Sequence, residues 1–136
     1  MSDLDEVLAY TMSHGGAEFI HQHVVDAYGA QYPERTKSNV RLAFSLIGLY
    51  LAIEKNFTGR QVQLAHMQLG RIRRIWPWFD PPPVGARITI ADVARADAGP
   101  SRDQAIMQWA AAVWASWNHA HQWTRETCAE LLGVRW

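Results

Sequence analysis

The chain has 136 residues, of which 49% are apolar and 11% aromatic, and its 13 basic side chains balance 13 acidic ones. This length and this apolar content favour one globular domain and exclude a disordered chain. A net charge near zero gives no long-range field that attracts phosphates, so we expect no nucleic-acid partner. The single cysteine, Cys128, excludes an internal disulfide and a structural zinc site built from several thiolates.

The sequence shows neither the pattern of a signal peptide nor that of a membrane-spanning segment, and both bear on where the protein is located. The first six residues are acidic and lack the basic and apolar regions of a signal peptide. The longest apolar run, residues 42–53, is too short to span a membrane and contains Ser45. We therefore expect a cytoplasmic protein with no membrane partner.

The first half of the chain predicts three helices. Ser2 and Asp5 form a capping box for a helix that continues to about residue 12. A second helix is expected over residues 17–28, with Gly29 as its C-terminal stop. Ser38 caps a third helix to about residue 54, whose apolar residues recur at helical spacing and which we expect to be central.

The second half predicts two long helices, a short one and a stiff loop. Residues 58–61 form a capping box for a helix to about residue 75, and residues 89–92 cap a short helix that ends near residue 96. Three consecutive prolines favour an extended segment between them, pinned to the core by Trp76, Trp78 and Phe79. A long last helix is expected over residues 101–132. The sequence thus predicts one all-α domain, a compact bundle of about five or six helices over residues 1–136.

Five of the six histidines lie in two stretches of the chain, residues 14–28 and 109–123. His14, Glu18 and His21 are spaced i, i+4, i+7, and Glu18-x-x-His21 matches the spacing that bundle metal sites use. His23 and Asp26 form a second pair, in which the carboxylate can orient the imidazole or fix the following loop. The alternative is that His14 and Glu18 are solvated and His21 is a hydrogen-bonded core residue.

In the last helix, His121 lies one turn after Trp117, on the predicted buried stripe, whereas His119 lies on another face. An ion held by His21, His121 and a carboxylate from Glu18 or Asp26 is a plausible arrangement. Such ligands suit zinc, iron or manganese, and the sequence does not choose among them. Bound water at an open position would then act as nucleophile or base.

The tryptophans of the last helix offer a second kind of site. Trp109, Trp114, Trp117 and Trp123 are too many for one helix face, so they form either a large aromatic core or a cavity for a flat apolar ligand. We take Trp114, Trp117 and Tyr28 as the candidate ligand-binding residues. His66 is assigned no role, and Cys128 is expected to be a small buried residue.

Several segments resemble an uncharacterised bacterial family of small helical proteins, a domain of unknown function. They are HxxxxDAYxxQxP at residues 21–33, LIGLYL at 46–51, PWFDPPP at 77–83, TIADV at 89–93 and WxxxVWxxWxxxH at 109–121. The chain departs from the family pattern in three ways. It has no Cys-x-x-Cys segment, and it has Tyr32 in place of the histidine of the usual Gln-His-Pro. Members often have two adjacent histidines near the last helix, whereas here one residue separates His119 from His121. The resemblance implies a helical fold and no known activity.

Three functions remain open at this point. The first is a small metal-binding protein, either a binding protein or an enzyme that acts on a small molecule. The second is a metal-free binding or interaction module, with the tryptophans lining a pocket or a homodimer face. The third is a metal-free cyclase or isomerase in which His21, His121 or Asp26 serves as general acid or base.

Overall fold

The computed structural model describes residues 2–13 and 18–135. These residues contain no β-strand, which confirms the all-α prediction. None of the described helices is long and apolar enough to cross a membrane. The helices in the described ranges are α1 (Asp3–Ser13), α2 (His21–Gln31), α3 (Asn39–Glu54), α4 (Gly59–Leu69), α5 (Ile90–Arg95), α6 (Pro100–Ser116) and α7 (His121–Leu132), with single 3₁₀ turns at Pro33–Arg35 and Asn118–Ala120.

Helix α3 is the centre of the bundle, as its apolar sequence predicts. It packs against α2, α4, α6 and α7. A helix that is apolar on nearly all sides is stable in water only when other helices surround it. Its buried residues are Leu42, Ala43, Ser45, Leu46, Ile47, Gly48, Leu49, Tyr50, Leu51 and Ala52.

The predicted starts of α3 and α4 are confirmed, and each depends on a local hydrogen bond. The hydroxyl of Ser38 accepts a bond from the backbone of Arg41 at the start of α3. Thr58 and Gln61 cap α4 reciprocally, since each side chain accepts a bond from the backbone of the other residue. Such boxes satisfy backbone N–H groups that the first helical turn leaves free, so four residues of sequence are enough to place them.

Two helix boundaries differ from the prediction. Helix α2 covers residues 21–31, so Gly29 lies inside the helix and does not end it, and Glu18 lies before the helix. Helix α4 ends at Leu69, six residues earlier than expected, and Gly70 follows as its C-terminal cap. The sequence predicts a stop at Gly29, where the helix continues, and none at Gly70, where α4 ends.

The predicted long last helix is wrong, because α6 and α7 are separate helices. The chain leaves α6 at Trp117, whose backbone (φ −91°, ψ 31°) departs from helical geometry, and makes a 3₁₀ turn before α7. The indole Nε1 of Trp117 donates to the carbonyl oxygen of Ala30, 3.0 Å away. Neither proline nor glycine marks the break. A contact with a residue far away in the sequence accompanies the break between α6 and α7, so the local sequence does not predict this break.

The extended segment after α4 is pinned by two of the three predicted aromatic residues. Trp76 is buried and meets Phe44 and Trp123 edge to face. Phe79 also packs against Trp123, with ring centroids 5.3 Å apart. Trp78 is 37% exposed, so its part of the prediction is not supported.

Two glycines allow α2 and α3 to approach closely. A Cβ atom built on Gly48 of α3 would overlap with Oδ2 of Asp26 on α2 and would lie 3.2 Å from Nε2 of His66. A Cβ atom on Gly29 of α2 would overlap with Oγ of Ser45 on α3. Since a buried carboxyl occupies the space beside Gly48, only glycine fits there without moving Asp26.

We expect Gly48→Ala to lower the free energy of unfolding by about 1–3 kcal/mol, the usual cost of overpacking a core. Gly85→Ala is the matched control, because no atom lies within 4 Å of a Cβ built there. Its free energy of unfolding should stay within about 0.5 kcal/mol of the parent value. Urea denaturation measures both. Equal effects of the two substitutions would contradict the close approach at Gly48.

Candidate functional site

The structure places the two histidines of the predicted metal site in different contacts. The ring of His21 lies against Phe19, and its Nδ1 is 2.9 Å from the hydroxyl of Thr11. That hydroxyl donates its hydrogen to the carbonyl oxygen of Leu8, so His21 donates from Nδ1 to Thr11. Burial lowers the pKa of His21.

His121 begins α7 and contacts Trp114 twice. Its Nε2–H donates to the carbonyl oxygen of Trp114 over 2.7 Å, and its ring stacks on the indole with centroids 3.8 Å apart. The same carbonyl also accepts a bond from the backbone N–H of Trp117, so His121 adds a second donor at the end of α6. His119 makes a similar bond to the carbonyl oxygen of Asp80. Both histidines therefore stabilise the turn between α6 and α7 and its neighbours.

The remaining predicted metal donors are not brought to these histidines. Glu18 is exposed, and its backbone oxygen accepts a 2.6 Å bond from the backbone of Gly59. His14 lies outside the described residues. Within the described ranges, no group of three or more His, Cys, Asp or Glu side chains is arranged to hold a metal ion.

The candidate ligand-binding aromatics already have protein partners. Nε1 of Trp114 donates to Oε2 of Glu54 over 2.7 Å, and Nε1 of Trp117 donates to the backbone of Ala30. The hydroxyl of Tyr28 accepts a bond from Arg35. A pocket of about 260 Å³ between α4 and the C-terminal segment is lined by other residues, namely Phe57, Gln61, Leu64, Ala65, Gln68, Leu132 and Val134.

Instead, the structure brings together Gln22 and Asp26 of α2 with His66 of α4, a set that we call the Asp26 cluster. Nε2 of Gln22 donates to Oδ1 of Asp26 over 3.2 Å and lies 3.4 Å from Nδ1 of His66. Nε2 of His66 lies 2.9 Å from the carbonyl oxygen of Phe44 and 3.9 Å from Oδ2 of Asp26. A carboxyl, an imidazole and an amide thus meet at the crossing of α2, α3 and α4.

These contacts define the tautomer of His66. The carbonyl oxygen of Phe44 only accepts, so Nε2 of His66 carries the proton and donates it. Nδ1 is then the acceptor for the amide of Gln22. The neutral imidazole is fully hydrogen-bonded in this arrangement, and its N–H also lies near the carboxyl of Asp26.

Burial favours the uncharged form of both members of the pair. The pKa of Asp26 is raised well above its usual value because the carboxyl is removed from water, and the amide of Gln22 and the charge of Arg41 oppose that rise only in part. Burial lowers the pKa of His66, although its bond to Phe44 works in the other direction. Both shifts disfavour an ion pair across the 3.9 Å contact.

One oxygen of the Asp26 carboxyl has no partner. Oδ2 is buried and makes no hydrogen bond with the residues that the structure describes, and the same holds for Nδ1 of His23. Burial lowers the pKa of His23 to about 4. Buried polar atoms without partners are rare because each costs free energy, so each such atom is a candidate contact for a ligand, an ion or an ordered water.

The sequence pointed to Asp26 and missed His66. Asp26 stood out because a carboxylate followed His23 at helical spacing on an apolar helix. His66 has no such neighbour on α4, and it lies 44 positions from Gln22 in the chain. Its position one turn after Val62, which is fully buried, was the only signal.

We expect Asp26→Asn to become more stable relative to the parent protein as the pH rises. The folded protein holds a proton on Asp26 that the unfolded chain releases above about pH 4, so this group's contribution to stability falls from there up to the folded pKa. The slope is at most about 1.4 kcal/mol per pH unit. Asparagine holds no such proton, and the buried histidines are common to both proteins.

Urea denaturation between about pH 4.5 and pH 7 measures this difference. Asp80→Asn, which changes an exposed carboxylate, is the control and should show no comparable trend. A difference between Asp26→Asn and the parent that does not change with pH would contradict the protonated state of Asp26.

Comparison with known proteins gives one match. No curated protein and no solved structure matches the chain. A family model described as "Family of unknown function (DUF5946)" matches residues 2–118. This match confirms the resemblance to an uncharacterised family that the sequence motifs indicate. The chain belongs to DUF5946, a family of unknown function.

Proposed function

We propose that the protein catalyses proton transfer on a small molecule, as an isomerase or a cyclase does, and that Asp26 carries the proton. The observation that supports this proposal is the buried carboxyl of Asp26, whose Oδ2 has no hydrogen-bond partner among the described residues. We thus assign the acid–base role to Asp26, with His66 beside it, and not to His21 or His121.

A protonated carboxyl is a proton donor at neutral pH only if its pKa is raised, and burial does this for Asp26. The proton on Oδ2 passes to a substrate atom that comes within hydrogen-bond distance. The carboxylate that is left behind is stabilised by the amide of Gln22 on Oδ1. The Nε2–H of His66, 3.9 Å from Oδ2, can turn from Phe44 towards the new charge.

The same carboxylate then takes a proton from another position of the substrate. The protein ends the cycle as it began, so the net result is the movement of a proton within the substrate. No oxidant or second substrate is needed. The side chain of His66 is 16% exposed and that of Asp26 is 3% exposed, so His66 is the member of the pair that solvent reaches more.

Asp26→Asn should abolish proton exchange on substrates that can lose a proton from carbon. The test incubates the protein in D₂O with the enolisable ketones dihydroxyacetone and hydroxyacetone, and proton NMR measures the loss of C–H signal. We expect a protein-dependent rate that falls about 100-fold or more in Asp26→Asn, the usual contribution of a general acid or base. Asp80→Asn is the matched control and should keep the parent rate.

Asparagine has the shape of the aspartic acid side chain, so we expect Asp26→Asn to fold like the parent protein. Circular dichroism checks that the fold is kept. Exchange that is equal in the parent protein and in Asp26→Asn would contradict the role of Asp26. Exchange no faster than in buffer would also count against proton transfer on this class of substrate.

Binding of a divalent metal is the second candidate function. Among the described residues, three buried side-chain polar atoms have no hydrogen-bond partner, and two of them, Oδ2 of Asp26 and Nδ1 of His23, come from one helix and favour this candidate. Zinc, iron and manganese all accept such ligands. A bound ion would lower the pKa of the carboxyl, since a positive charge favours its ionised form.

Elemental analysis of protein purified without a histidine tag or a chelator separates the two functions. About one equivalent of metal, lost in the double variant His23→Ala/Asp26→Asn, would establish the metal centre. The metal hypothesis of the sequence predicts loss in His21→Ala/His121→Ala instead. Absence of metal, with no uptake of added zinc, iron or manganese, would leave metal-free proton transfer as the supported function.

We also propose that the protein acts in the cytoplasm. Its only cysteine, Cys128, is buried, and burial raises its pKa to about 12, so it stays a thiol. A fold that uses no disulfide does not need an oxidising compartment. Cell fractionation followed by immunoblotting tests the location.

A further inference from the structure

The charged residues of the chain are segregated along the sequence. Residues 1–34 contain no lysine or arginine, whereas residues 55–79 contain four arginines and a lysine and no acidic residue. Helix α1 belongs to the acidic part and α4 to the basic part. The net charge of zero is thus the sum of oppositely charged segments.

Helix α4 has an exposed apolar stripe with an arginine at each end, which we call the basic stripe. Arg60, Leu64, Met67 and Arg71 are spaced i, i+4, i+7, i+11, so they lie on one face of α4 and of the turn that follows it. Leu64 is 57% exposed and Met67 is 55% exposed. Arg60 lies over the ring of Phe19, and in the described ranges neither arginine has an ion pair.

Helix α1 has an exposed stripe of the same spacing and the opposite charge, which we call the acidic stripe. Asp5, Ala9 and Met12 are spaced i, i+4, i+7, and Glu6 lies beside Asp5. All four are exposed, Met12 by 62%. Hydrogen bonds from Ser2 lower the pKa of Asp5, so this carboxylate is charged at neutral pH. Helix α1 contains no basic residue that could neutralise it.

The end of α1 and the start of α4 lie at the same corner of the bundle. The hydroxyl of Thr11 is 2.9 Å from Nδ1 of His21, whose ring lies against Phe19. The guanidinium carbon of Arg60 is 4.2 Å from the centre of the Phe19 ring. A two-fold axis near this corner can bring each stripe against the oppositely charged stripe of a second copy, which closes the assembly as a dimer.

We propose that the basic stripe of α4 docks against the acidic stripe of α1 in a second copy, so that the protein forms a homodimer. Both helices have 11 residues, and each stripe has its apolar residues next to its charged ones. Because the basic stripe has an arginine at each end, Asp5 meets an arginine whichever way the two helices run. The apolar residues between them leave water on docking.

A second copy is favoured over other partners because it matches both stripes at once. An anionic lipid surface would complement the basic stripe alone and would repel the acidic stripe at the same corner. The inference is independent of the proposed proton transfer, since it uses no residue of the Asp26 cluster.

Sedimentation equilibrium of the full chain, over a protein concentration of about 1 µM to 1 mM, measures the dissociation constant of the dimer. Short helices bury an area at the low end for protein interfaces, so we expect a constant on the order of 10–100 µM. Raising the NaCl concentration from about 0.05 M to 1 M should weaken the dimer about tenfold, because salt screens the facing charges.

Two charge-reversal variants test the pairing of the stripes. Arg60→Glu/Arg71→Glu makes the basic stripe negative, and Glu6→Lys/Ala9→Lys makes the acidic stripe positive without removing the capping box of α1. Each variant alone should form a dimer at least about tenfold more weakly, since like charges then face each other. An equimolar mixture of the two variants should associate about as tightly as the parent protein, because opposite charges face each other again.

Lys37→Glu/Arg87→Glu is the matched control, since it changes the net charge as much as Arg60→Glu/Arg71→Glu at two exposed basic residues outside both stripes. It should keep the dissociation constant of the parent protein, and circular dichroism checks that every variant is folded. A parent protein that stays monomeric up to the highest concentration would overturn the inference, whether or not it sediments with vesicles of anionic lipid. A mixture of the two variants that associates no more tightly than either alone would also overturn it.

Discussion

The close approach of α2 and α3 at Gly48 is the constraint on which the candidate site depends. The absence of a side chain at this position lets the carboxyl of Asp26 lie inside the bundle, against the central helix. There it is removed from water, and its neutral form is favoured. The same glycine leaves room for His66, whose Nε2–H is fixed by a backbone carbonyl of α3. One missing methyl group thus allows a carboxyl and an imidazole to meet.

Such a site lowers the stability of the fold, and the rest of the helix bundle has to compensate for this loss. Oδ2 of Asp26 and Nδ1 of His23 are buried without partners in the described structure, and each unmet polar group costs about 1–3 kcal/mol. Helix α3 offsets this cost with a nearly continuous apolar surface that four other helices cover. A stable core around a costly polar cluster is the pattern expected when the cluster serves function and not folding.

The sequence could predict what local contacts determine. The start of α4 follows from Thr58 and Gln61 alone, so it was found. The end of α6 follows from the burial of Trp117 against the backbone of Ala30, 87 positions away, so it was not found. The candidate site divides in the same way. Asp26 was suggested by its place on an apolar helix, but its partner His66 is set by how α2 and α4 pack, which no spacing within either helix records.

A second polar cluster shows why the function is assigned to Asp26. Both oxygens of Glu54 are occupied by Arg125 and by the indole of Trp114. Burial alone would raise the pKa of Glu54, but these hydrogen bonds lower it, so the carboxylate is ionised and already fully bound. Asp26 differs in both respects, since burial raises its pKa and one of its oxygens has no hydrogen-bond partner among the described residues. A paired carboxylate holds helices together, whereas a protonated carboxyl with an unused oxygen can give its proton to a ligand.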